Sequence, residues 1–505
     1  MPLSVAIVGS GIGAASTCYF LNKLFEGNIK IDVYESESSV GGRSMPMKVD
    51  GRNMEVGAGI AYSGNKYISD WAKQFNLERT KPSGNKFGLW NGSNFVFEEC
   101  KMDNLTPVKI VTRYGRDLYT LRSTVYSTLE KFNKIYKVQD DGTSFESAAD
   151  LWKHLGLFEY TQKSFKDEMC SRLSSNSKLL SELMFAVNKV NYNQSNNINA
   201  LAGLVSMCPI ITGDVFSLET GWTAIHKEIF KNATVHLSSP VTRVRSVSAI
   251  EQSTDGHVER GVTRLPDIGC RYEVESGGNV VGHYDAVVVC APSSSLFPIK
   301  FELDGEPVDT STFNKEYQVT HTTFVKGKMN ESYFTTKKEK GMDQSSWGSA
   351  VVTWVMRSAF GSLYDDSNTL PTQIYLVEGA EKKEKFSSYS KYFDYKNDPY
   401  GHGLYKIFST DPLQVSTLNE LFSPDSSVVA TKKWWAYPKF CPPEDISASF
   451  RVKKGHAVFN SSILEWSVSA LEVAAISGRN AALLVHKDLM KNSVCYRTSE
   501  TTSVE

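Results

Sequence analysis

The opening of the chain combines two short apolar runs with one helical apolar stripe. Residues 4–8 (S-V-A-I-V) form an apolar run that stops at Gly9, as expected of a buried parallel strand. From about residue 13 to residue 25, apolar side chains recur at helical spacing, and residues 30–35 (K-I-D-V-Y-E) predict a second strand. A strand, a glycine turn, a helix and a second strand within about 30 residues predict a βαβ unit.

Later segments predict a helical region, then strands, then a closing helix. Residues 100–235 are mostly helical in pattern, and apolar residues from Leu118 to Ile135 recur three or four positions apart, which indicates an ordinary buried face. A helix is expected over residues 469–486, with a polar tail from Lys491. Strand-like runs lie between these regions, at residues 235–247, 272–292, 319–326, 350–356 and 373–378.

The composition narrows the class of protein. With 505 residues, of which 41% are hydrophobic and 22% charged, the chain is predicted to be globular with two intertwined or successive domains. Its net charge is -1 and it has no basic stripe, which argues against a nucleic-acid partner. No apolar run approaches the roughly 18 residues that cross a bilayer. The eight cysteines are scattered without a C-x-x-C pair, so no metal site is predicted.

The first glycine motif follows the first predicted strand. Gly9 permits a tight turn, Gly11 lets the backbone approach a pyrophosphate, and Ala14 lets the helix pack closely on the strand. The start of that helix offers free N–H groups to an anion. Glu35 closes the second strand, where its carboxylate can accept the hydroxyls of an adenosine ribose. Together these residues predict a dinucleotide site. Because Glu35 is negatively charged, the site disfavours the extra phosphate of NADP.

A second glycine cluster distinguishes FAD from NAD. Gly41 and Gly42 allow the backbone to fold over a cofactor, and Arg43 can pair with pyrophosphate oxygens through its planar guanidinium. Gly57 and Gly59 then supply a turn of small residues where bulk near a flat ring would clash. NAD enzymes have no need of this second cluster, so FAD is the predicted cofactor.

Distal segments agree with this assignment. Val241 lies in a segment that resembles the one by which glutathione-reductase-type flavoproteins place a hydrophobic backbone beside the adenine. Near the end of the chain, Glu465 precedes a predicted helix start at Ala470 and Leu471. Backbone N–H groups at such a start can hold a flavin carbonyl and stabilise negative charge on the reduced ring.

The expected fold is α/β. It combines a glutathione-reductase-type, FAD-binding Rossmann domain with an interwoven, mixed α+β substrate domain. The predicted FAD-binding segments are residues 1–65, 235–300 and 426–490, and the remaining segments are 66–234 (mainly helical substrate domain), 301–425 (substrate domain, mixed sheet) and 491–505 (polar tail).

The middle and C-terminal stretches resemble the prenylcysteine oxidases (prenylcysteine lyases), within the amine-oxidase-like flavoproteins. The resemblance runs from about Val5 to Leu484. It rests on the blocks V-N-Y-N-Q-S (190–195), I-N-A (198–200), V-F-S-L-E-T-G (215–221), F-V-K-G (324–327), Y-K-I-F-S (405–409), W-A-Y-P (435–438), P-P-E (442–444), A-L-E (470–472), A-A-I (474–476) and R-N-A-A-L-L (479–484).

This resemblance implies an FAD-dependent thioether oxidase. Such an enzyme cleaves farnesyl- or geranylgeranyl-cysteine with molecular oxygen and water to cysteine, a prenyl aldehyde and hydrogen peroxide, in the degradation of prenylated proteins. The implied partners are a small prenylated amino acid and oxygen, with no transmembrane segment. Animal members are typically lysosomal and made with a signal peptide. Here residues 1–5 enter the first strand at once, which favours a cytoplasmic protein, whereas the animal family pattern implies a lysosomal one, so both locations stay open.

The sequence does not assign a catalytic residue. Amine oxidases often use a lysine that holds a water near the flavin, which makes Lys326 a candidate, and His321 on the same predicted strand is another. Two other functions stay open: a flavin amine oxidase or isoprenoid desaturase with another substrate, and a non-enzymatic carrier of prenylated GTPases. The glycines and charged residues between Gly9 and Arg43 argue against the carrier. Peroxide release with farnesylcysteine but not with amines would separate the enzymes.

Overall fold

The computed structural model describes residues 2–57, 59–81, 86–100, 105–247, 271–292, 298–335, 370–396 and 398–500. The strands are β1 (Leu3–Val8), β2 (Ile29–Tyr34), β3 (Pro46–Val49), β4 (Arg52–Glu55), β5 (Ala61–Tyr62), β6 (Arg79–Thr80), β7 (Phe87–Trp90), β8 (Phe95–Glu98), β9 (Val215–Leu218), β10 (Thr234–His236), β11 (Val241–Val247), β12 (Arg271–Ser276), β13 (Asn279–Tyr284), β14 (Ala286–Val289), β15 (Lys300–Leu303), β16 (Glu306–Pro307), β17 (Tyr317–Gly327), β18 (Gln373–Leu376), β19 (Ser388–Asp394), β20 (Gly403–Ser409), β21 (Ser427–Pro438) and β22 (Val458–Asn460). The α-helices are α1 (Ile12–Leu24), α2 (Lys66–Gln74), α3 (Thr106–Tyr114), α4 (Arg116–Asp140), α5 (Ala148–His154), α6 (Phe165–Cys170), α7 (Phe185–Tyr192), α8 (Ala200–Thr212), α9 (Thr223–Ile229), α10 (Glu331–Thr335), α11 (Val415–Leu421) and α12 (Leu471–Glu500). A π-helical turn, Leu180–Met184, precedes α7, and short 3-10 turns include Gly42–Ser44 and Ser461–Trp466.

A parallel sheet organises the first part of the fold. Within the described residues its strand order is β10–β2–β1–β14–β22, and each neighbouring pair is parallel. Its strands come from parts of the chain that are far apart in sequence, so the sheet is interwoven with the rest of the protein. The predicted βαβ unit is confirmed, with β1, α1 and β2 each beginning one residue before its predicted start.

Two further sheets complete the framework. The second, β13–β12–β11–β15–β16, is antiparallel except where β11 runs parallel to β15. The third, β21–β17–β20–β19–β18–β7–β8, is antiparallel except between β18 and β7. The β3–β4 hairpin packs on the third sheet, because Val49 and Met54 share a hydrophobic cluster with Phe324 and Leu404. This contact brings the segment that follows β4 to the middle of the third sheet.

The largest hydrophobic core lies between the parallel sheet and the surrounding helices. Ile7 of β1 and Leu121 of α4 are both fully buried in it, so the apolar stripe predicted on α4 is core, as interpreted. Helix α8, in the same core, has its ends set by local chemistry. The side chain of Asn199 accepts the N–H of Ala202 at its start, and Gly213, at a φ of +66°, closes it.

Three sequence expectations need comment. The strand signals over residues 235–247 correspond to two strands, β10 and β11, which belong to different sheets. Ser238 has a positive φ of 51° and Pro240 lacks an N–H group, and together they end one strand before the next begins. The closing helix continues to Glu500, beyond its predicted end at residue 486. The strand-like run at residues 350–356 lies outside the described residues.

Across the described ranges, none of the helices has both the length and the apolar character that a membrane span requires.

Candidate functional site

The turn after β1 opens directly into α1. Gly9 has a φ of +97°, and a Cβ atom there would lie 3.1 Å from the backbone nitrogen of Ala291. A Cβ atom at Gly11 would meet nothing within 4 Å, so the space beside the first turn of α1 is open. No side chain caps the N-terminus of α1, and Ala14 is fully buried one turn further on. The turn therefore presents unpaired N–H groups and a positive dipole end to an open space.

Glu35 connects the end of β2 to this turn. Its side chain is buried, and its Oε2 accepts the backbone N–H of Ser10 at 2.9 Å and the hydroxyl of Ser10 at 2.5 Å. Its Oε1 accepts the N–H of Glu37 at 2.9 Å, and the hydroxyl of Ser10 in turn accepts the N–H of Gly41 at 3.2 Å. The carboxylate thus lies at the carboxyl ends of β1 and β2, the edge where dinucleotides bind to parallel sheets.

The two glycine motifs are in direct contact. Gly42 has a φ of +55°, and a Cβ atom there would lie 3.2 Å from the Cα of Gly11. Gly41 has a φ of +131°, and a Cβ atom there would lie 2.7 Å from the Cγ2 of Thr223 in α9. Close approach and left-handed backbone both require glycine at these positions. The predicted grouping of Gly9, Gly11, Gly41 and Gly42 is thus present in the fold.

Arg43 and Glu465, both predicted cofactor residues, are brought together. The Arg43 guanidinium forms a salt bridge with the Glu465 carboxylate and donates to the carbonyl of Ala436 at 3.2 Å. The other carboxylate oxygen of Glu465 accepts the hydroxyl of Tyr317, whose pKa is raised well above its ordinary value by burial and by the charge of Glu465. This cluster joins the second glycine motif to β17 and to the segment before α12.

The start of α12 lies beside the start of α1. The hydroxyl of Ser16 donates to the carbonyl of Ala475 at 2.5 Å, and a Cβ atom at Gly478 would lie only 2.2 Å from the carbonyl oxygen of Gly13. Ala470 and Leu471, the predicted helix start, are partly buried, and α12 begins at Leu471. The two helices therefore pack backbone against backbone near the glycine turn.

Val241 lies near Glu35, at the start of β11. It is the first residue of β11 and packs in a hydrophobic cluster with Val8 and Tyr34. Two residues earlier, the N–H of Ser239 donates to the carbonyl of Glu35 at 2.8 Å. The structure thus places Val241 at the same edge of the parallel sheet as the first glycine motif.

The neighbour that requires a glycine at position 57 is a tryptophan. A Cβ atom at Gly57 would lie 2.4 Å from the ring of Trp434, whereas one at Gly59 would meet nothing within 4 Å. The Trp434 indole N–H donates to the hydroxyl of Thr322 at 3.0 Å, and that hydroxyl donates to the carbonyl of Val56 at 3.3 Å. Sequence reasoning predicted a flat ring at this turn, and the ring in contact with Gly57 is Trp434.

The two weak catalytic candidates lie away from the glycine motifs. His321 and Lys326 are five positions apart on β17, so their side chains point to opposite faces of the sheet. The Lys326 Nζ lies 4.4 Å from the ring centroid of Tyr395. Burial, and then the charge of Lys433, lowers the pKa of His321. The structure does not bring either side chain to Gly57.

A different lysine occupies the position next to this turn. Lys406 of β20 is 6% exposed, and its Nζ donates to the backbone carbonyl of Glu55 at 2.9 Å. Burial raises the pKa of the Glu55 carboxyl to about 7, against the lowering effects of a hydrogen bond from the Trp222 N–H and the charge of Lys406. Sequence reasoning missed both residues. The sequence does hold a signal for Lys406, because this lysine lies inside the apolar run of β20, a strand that is buried on both faces.

This arrangement suits a dinucleotide. An open space meets the uncapped start of α1, the Glu35 carboxylate lies at the end of β2 beside it, and Arg43 lies on the adjacent loop. Within the described ranges, no cluster of three or more His, Cys, Asp or Glu residues could hold a metal ion.

Comparison with known proteins places these features in context. A family model described as prenylcysteine lyase matches residues 97–495, and one described as an NAD(P)-binding Rossmann-like domain matches residues 7–75. The chain is 29% identical to prenylcysteine oxidase 1 of Mus musculus, over 96% of this chain and 89% of that protein. It is 28% identical to farnesylcysteine lyase of Arabidopsis thaliana, over 98% of this chain and 90% of that protein.

Solved structures agree on the fold. Cyclohexylamine oxidase from Brevibacterium oxydans superposes with a TM-score of 0.58 at 13% sequence identity, covering 97% of this chain and 100% of that chain. At this identity the likeness shows the fold alone. Together with the Rossmann-like match, it confirms the predicted fold class.

Proposed function

The chain belongs to the prenylcysteine lyase family, and on that premise we propose that it is an FAD-dependent oxidase of prenylcysteine thioethers. It takes farnesyl- or geranylgeranyl-cysteine, molecular oxygen and water, and it releases cysteine, a prenyl aldehyde and hydrogen peroxide. The observation that carries the proposal is the family match over residues 97–495. That match includes strands β17 to β21 of the third sheet and the helices from α3 onward, and so extends well beyond the dinucleotide-binding unit.

FAD is the cofactor that we infer for the open space beside Gly9, Gly11 and the first turn of α1, which we call the cradle. Gly9, Gly11 and the first turn of α1 would hold the pyrophosphate, and Glu35 would accept the ribose hydroxyls. When bound, FAD supplies a two-electron oxidant that oxygen regenerates with release of peroxide. The other residues assigned to this cofactor are Ala14, Gly41, Gly42, Arg43, Gly57, Gly59, Val241, Glu465, Ala470 and Leu471.

The strands of the parallel sheet support the proposed division into domains. We assign residues 1–65, 235–300 and 426–490 to the cofactor domain, since strands from each of them pair in that sheet. Residues 66–234 and 301–425 then form the substrate domain, which contains the third sheet apart from β21.

The chemistry of the substrate limits what the protein must supply. The carbon beside sulfur is allylic, so positive charge that develops there is shared between sulfur and the double bond. No strong general base is then required. The contribution of the chain is to hold that carbon in one orientation and to keep water scarce. The face of the third sheet that carries Phe408 and Trp434 suits this role, because Trp434 is largely buried and lies against Gly57.

The proposal is tested by incubating the flavin-loaded protein with S-farnesylcysteine under air. Peroxide and farnesal are expected in equal amounts, each matched by one cysteine. Cyclohexylamine and putrescine serve as comparators and are expected to release no peroxide. Peroxide from the amines but not from S-farnesylcysteine would overturn the substrate assignment and favour an amine oxidase.

A further inference from the structure

The buried ammonium of Lys406 has no ion-pair partner among the described residues. Besides the carbonyl of Glu55, its Nζ lies 3.5 Å from the hydroxyl of Tyr392 and 4.6 Å from the ring centroid of Phe408. The two described hydrogen-bond acceptors of this ammonium, the Glu55 carbonyl and the Tyr392 hydroxyl, are both uncharged. Tyr392 itself is 41% exposed, so the buried ammonium lies beside a side chain that reaches the surface. A charge held this way carries a desolvation cost that a carboxylate partner would offset.

The carboxylate of Glu55 is incompletely satisfied as well. Its Oε1 accepts the N–H of Trp222 at 3.1 Å, and its Oε2 is buried without a hydrogen-bond partner in the described part of the chain. The charge of Lys406 lowers the pKa of the Glu55 carboxyl, so the two charges interact, although the Lys406 ammonium donates to the backbone carbonyl of Glu55 and, among the described contacts, not to its carboxylate. A buried cation and a partly buried acid thus interact without forming a direct ion pair.

The substrate head group complements these two side chains in charge. A free cysteine moiety carries an α-carboxylate and an α-ammonium on one carbon. Lys406 and Phe408 lie on the same face of β20, two positions apart, so a head group at Lys406 has aromatic surface beside it for the apolar remainder of the molecule. A zwitterion here would pair both protein charges at once.

Building on the proposed function, we propose that Lys406 binds the α-carboxylate and Glu55 the α-ammonium of the prenylcysteine substrate. The site then selects free prenylated amino acids over forms whose carboxyl or amino group is blocked. An alternative, purely structural role for Lys406 is to tie β20 to β4 through the Glu55 carbonyl. That role would not distinguish a carboxylate from an amide in the substrate.

The test compares three ligands on the flavin-loaded full chain. They are S-farnesylcysteine, its primary carboxamide and S-farnesyl-3-mercaptopropionate, which lacks the amine. The measurements are kcat/KM by peroxide release and Kd by titration calorimetry. For the wild-type protein, removing either charged group from the ligand is expected to lower kcat/KM and to raise Kd, each by about 10- to 100-fold. This is the range for a charge-assisted hydrogen bond.

Substitution of either Lys406 or Glu55 should remove one of the two substrate preferences, for the carboxylate or for the amine, and leave the other. Lys406→Met is expected to abolish the preference for carboxylate over carboxamide while the preference for the amine remains. Glu55→Gln is expected to do the reverse. Lys433→Met, which alters an exposed lysine of the same sheet, is the matched control and should keep both preferences. Flavin absorbance checks that each variant is loaded.

Failure of this inference is distinguishable from failure of the proposed function. Wild-type turnover of S-farnesylcysteine with variants that keep both preferences would overturn the head-group assignment alone. Absence of thioether oxidation by the wild-type protein would remove the function, and the head-group site with it. If Lys406→Met does not fold, the Kd values decide. Equal affinity of the wild-type protein for the acid and the carboxamide overturns the assignment. A wild-type difference of tenfold or more that is lost in Lys406→Ala or reduced in Lys406→Arg supports it.

Discussion

Arg43 forms a salt bridge with Glu465, a residue near the opposite end of the chain. Sequence reasoning assigned both residues to the same cofactor without linking them. In the fold they neutralise each other at the junction of the second glycine motif, β17 and the approach to α12. The pair therefore pre-orients the guanidinium beside the cradle, which lowers the cost of ordering it when a ligand binds.

Arg43→Ala is expected to reduce both flavin content and stability. Removal of the guanidinium leaves the buried Glu465 carboxylate without its cation, at a cost of about 2 kcal/mol in the free energy of unfolding. Urea unfolding of the apo-protein measures the stability, and the ratio of visible to protein absorbance measures the flavin. Arg43→Lys keeps the charge but not the planar guanidinium, so its flavin content and stability should lie between those of the wild type and Arg43→Ala. A fully loaded, equally stable Arg43→Ala protein would contradict this role.

Gly57→Ala is expected to destabilise the apo-protein by about 1–3 kcal/mol, because the new methyl group overlaps the Trp434 ring. Gly59→Ala is the matched control, since a Cβ atom there meets nothing within 4 Å. Thermal unfolding of both variants without flavin gives the comparison. Equal melting temperatures for the two variants would show that Trp434 does not set the requirement for glycine.

Glu472→Gln is expected to remove a pH-dependent part of the stability. The buried carboxyl of Glu472 accepts the N–H groups of Tyr67 and Ile68 and the hydroxyl of Tyr136, yet burial raises its pKa to about 7. A raised folded-state pKa contributes stability below the ordinary value near 4.5 and loses it as the pH rises through 7. The difference in unfolding free energy between wild type and variant should therefore fall by roughly 3 kcal/mol over that window. A pH-independent difference would exclude this titration.

Lys326→Met is expected to leave turnover and flavin content near the wild-type values. Thr320 pairs with Trp434, and Lys326 lies six residues further along β17, about 20 Å away. Its ammonium lies against Tyr395 and away from the glycine turn. Steady-state kinetics with S-farnesylcysteine check this, and a large loss of kcat in a fully loaded protein would restore Lys326 as a catalytic candidate.

Local sequence patterns predicted the first part of the fold well. The βαβ unit from Leu3 to Tyr34 depends on nearby residues: an apolar run, a glycine turn and a helical stripe. The contact between Gly42 and Gly11 was also within reach, because both motifs imply backbone that approaches a common ligand. The break between β10 and β11 lies at Ser238 to Pro240, and the local pattern does not tell that the two strands join different sheets.

Contacts between distant segments could not be predicted in this way. Nothing in the sequence near Gly57 indicates that Trp434 will lie against it, since their proximity depends on the packing of the β3–β4 hairpin on the third sheet. The position of Lys406 beside Glu55 has the same origin. Hydrophobic periodicity tells which face of a strand is buried, and only the assembled sheets tell what lies against it.

The most direct test of the central claim is anaerobic mixing of the flavin-loaded protein with S-farnesylcysteine, followed by visible absorbance. The account predicts that the oxidised-flavin band bleaches fully, with one farnesal formed per flavin, and that admission of air restores the band with one peroxide. A flavin band that persists with saturating S-farnesylcysteine would contradict the account.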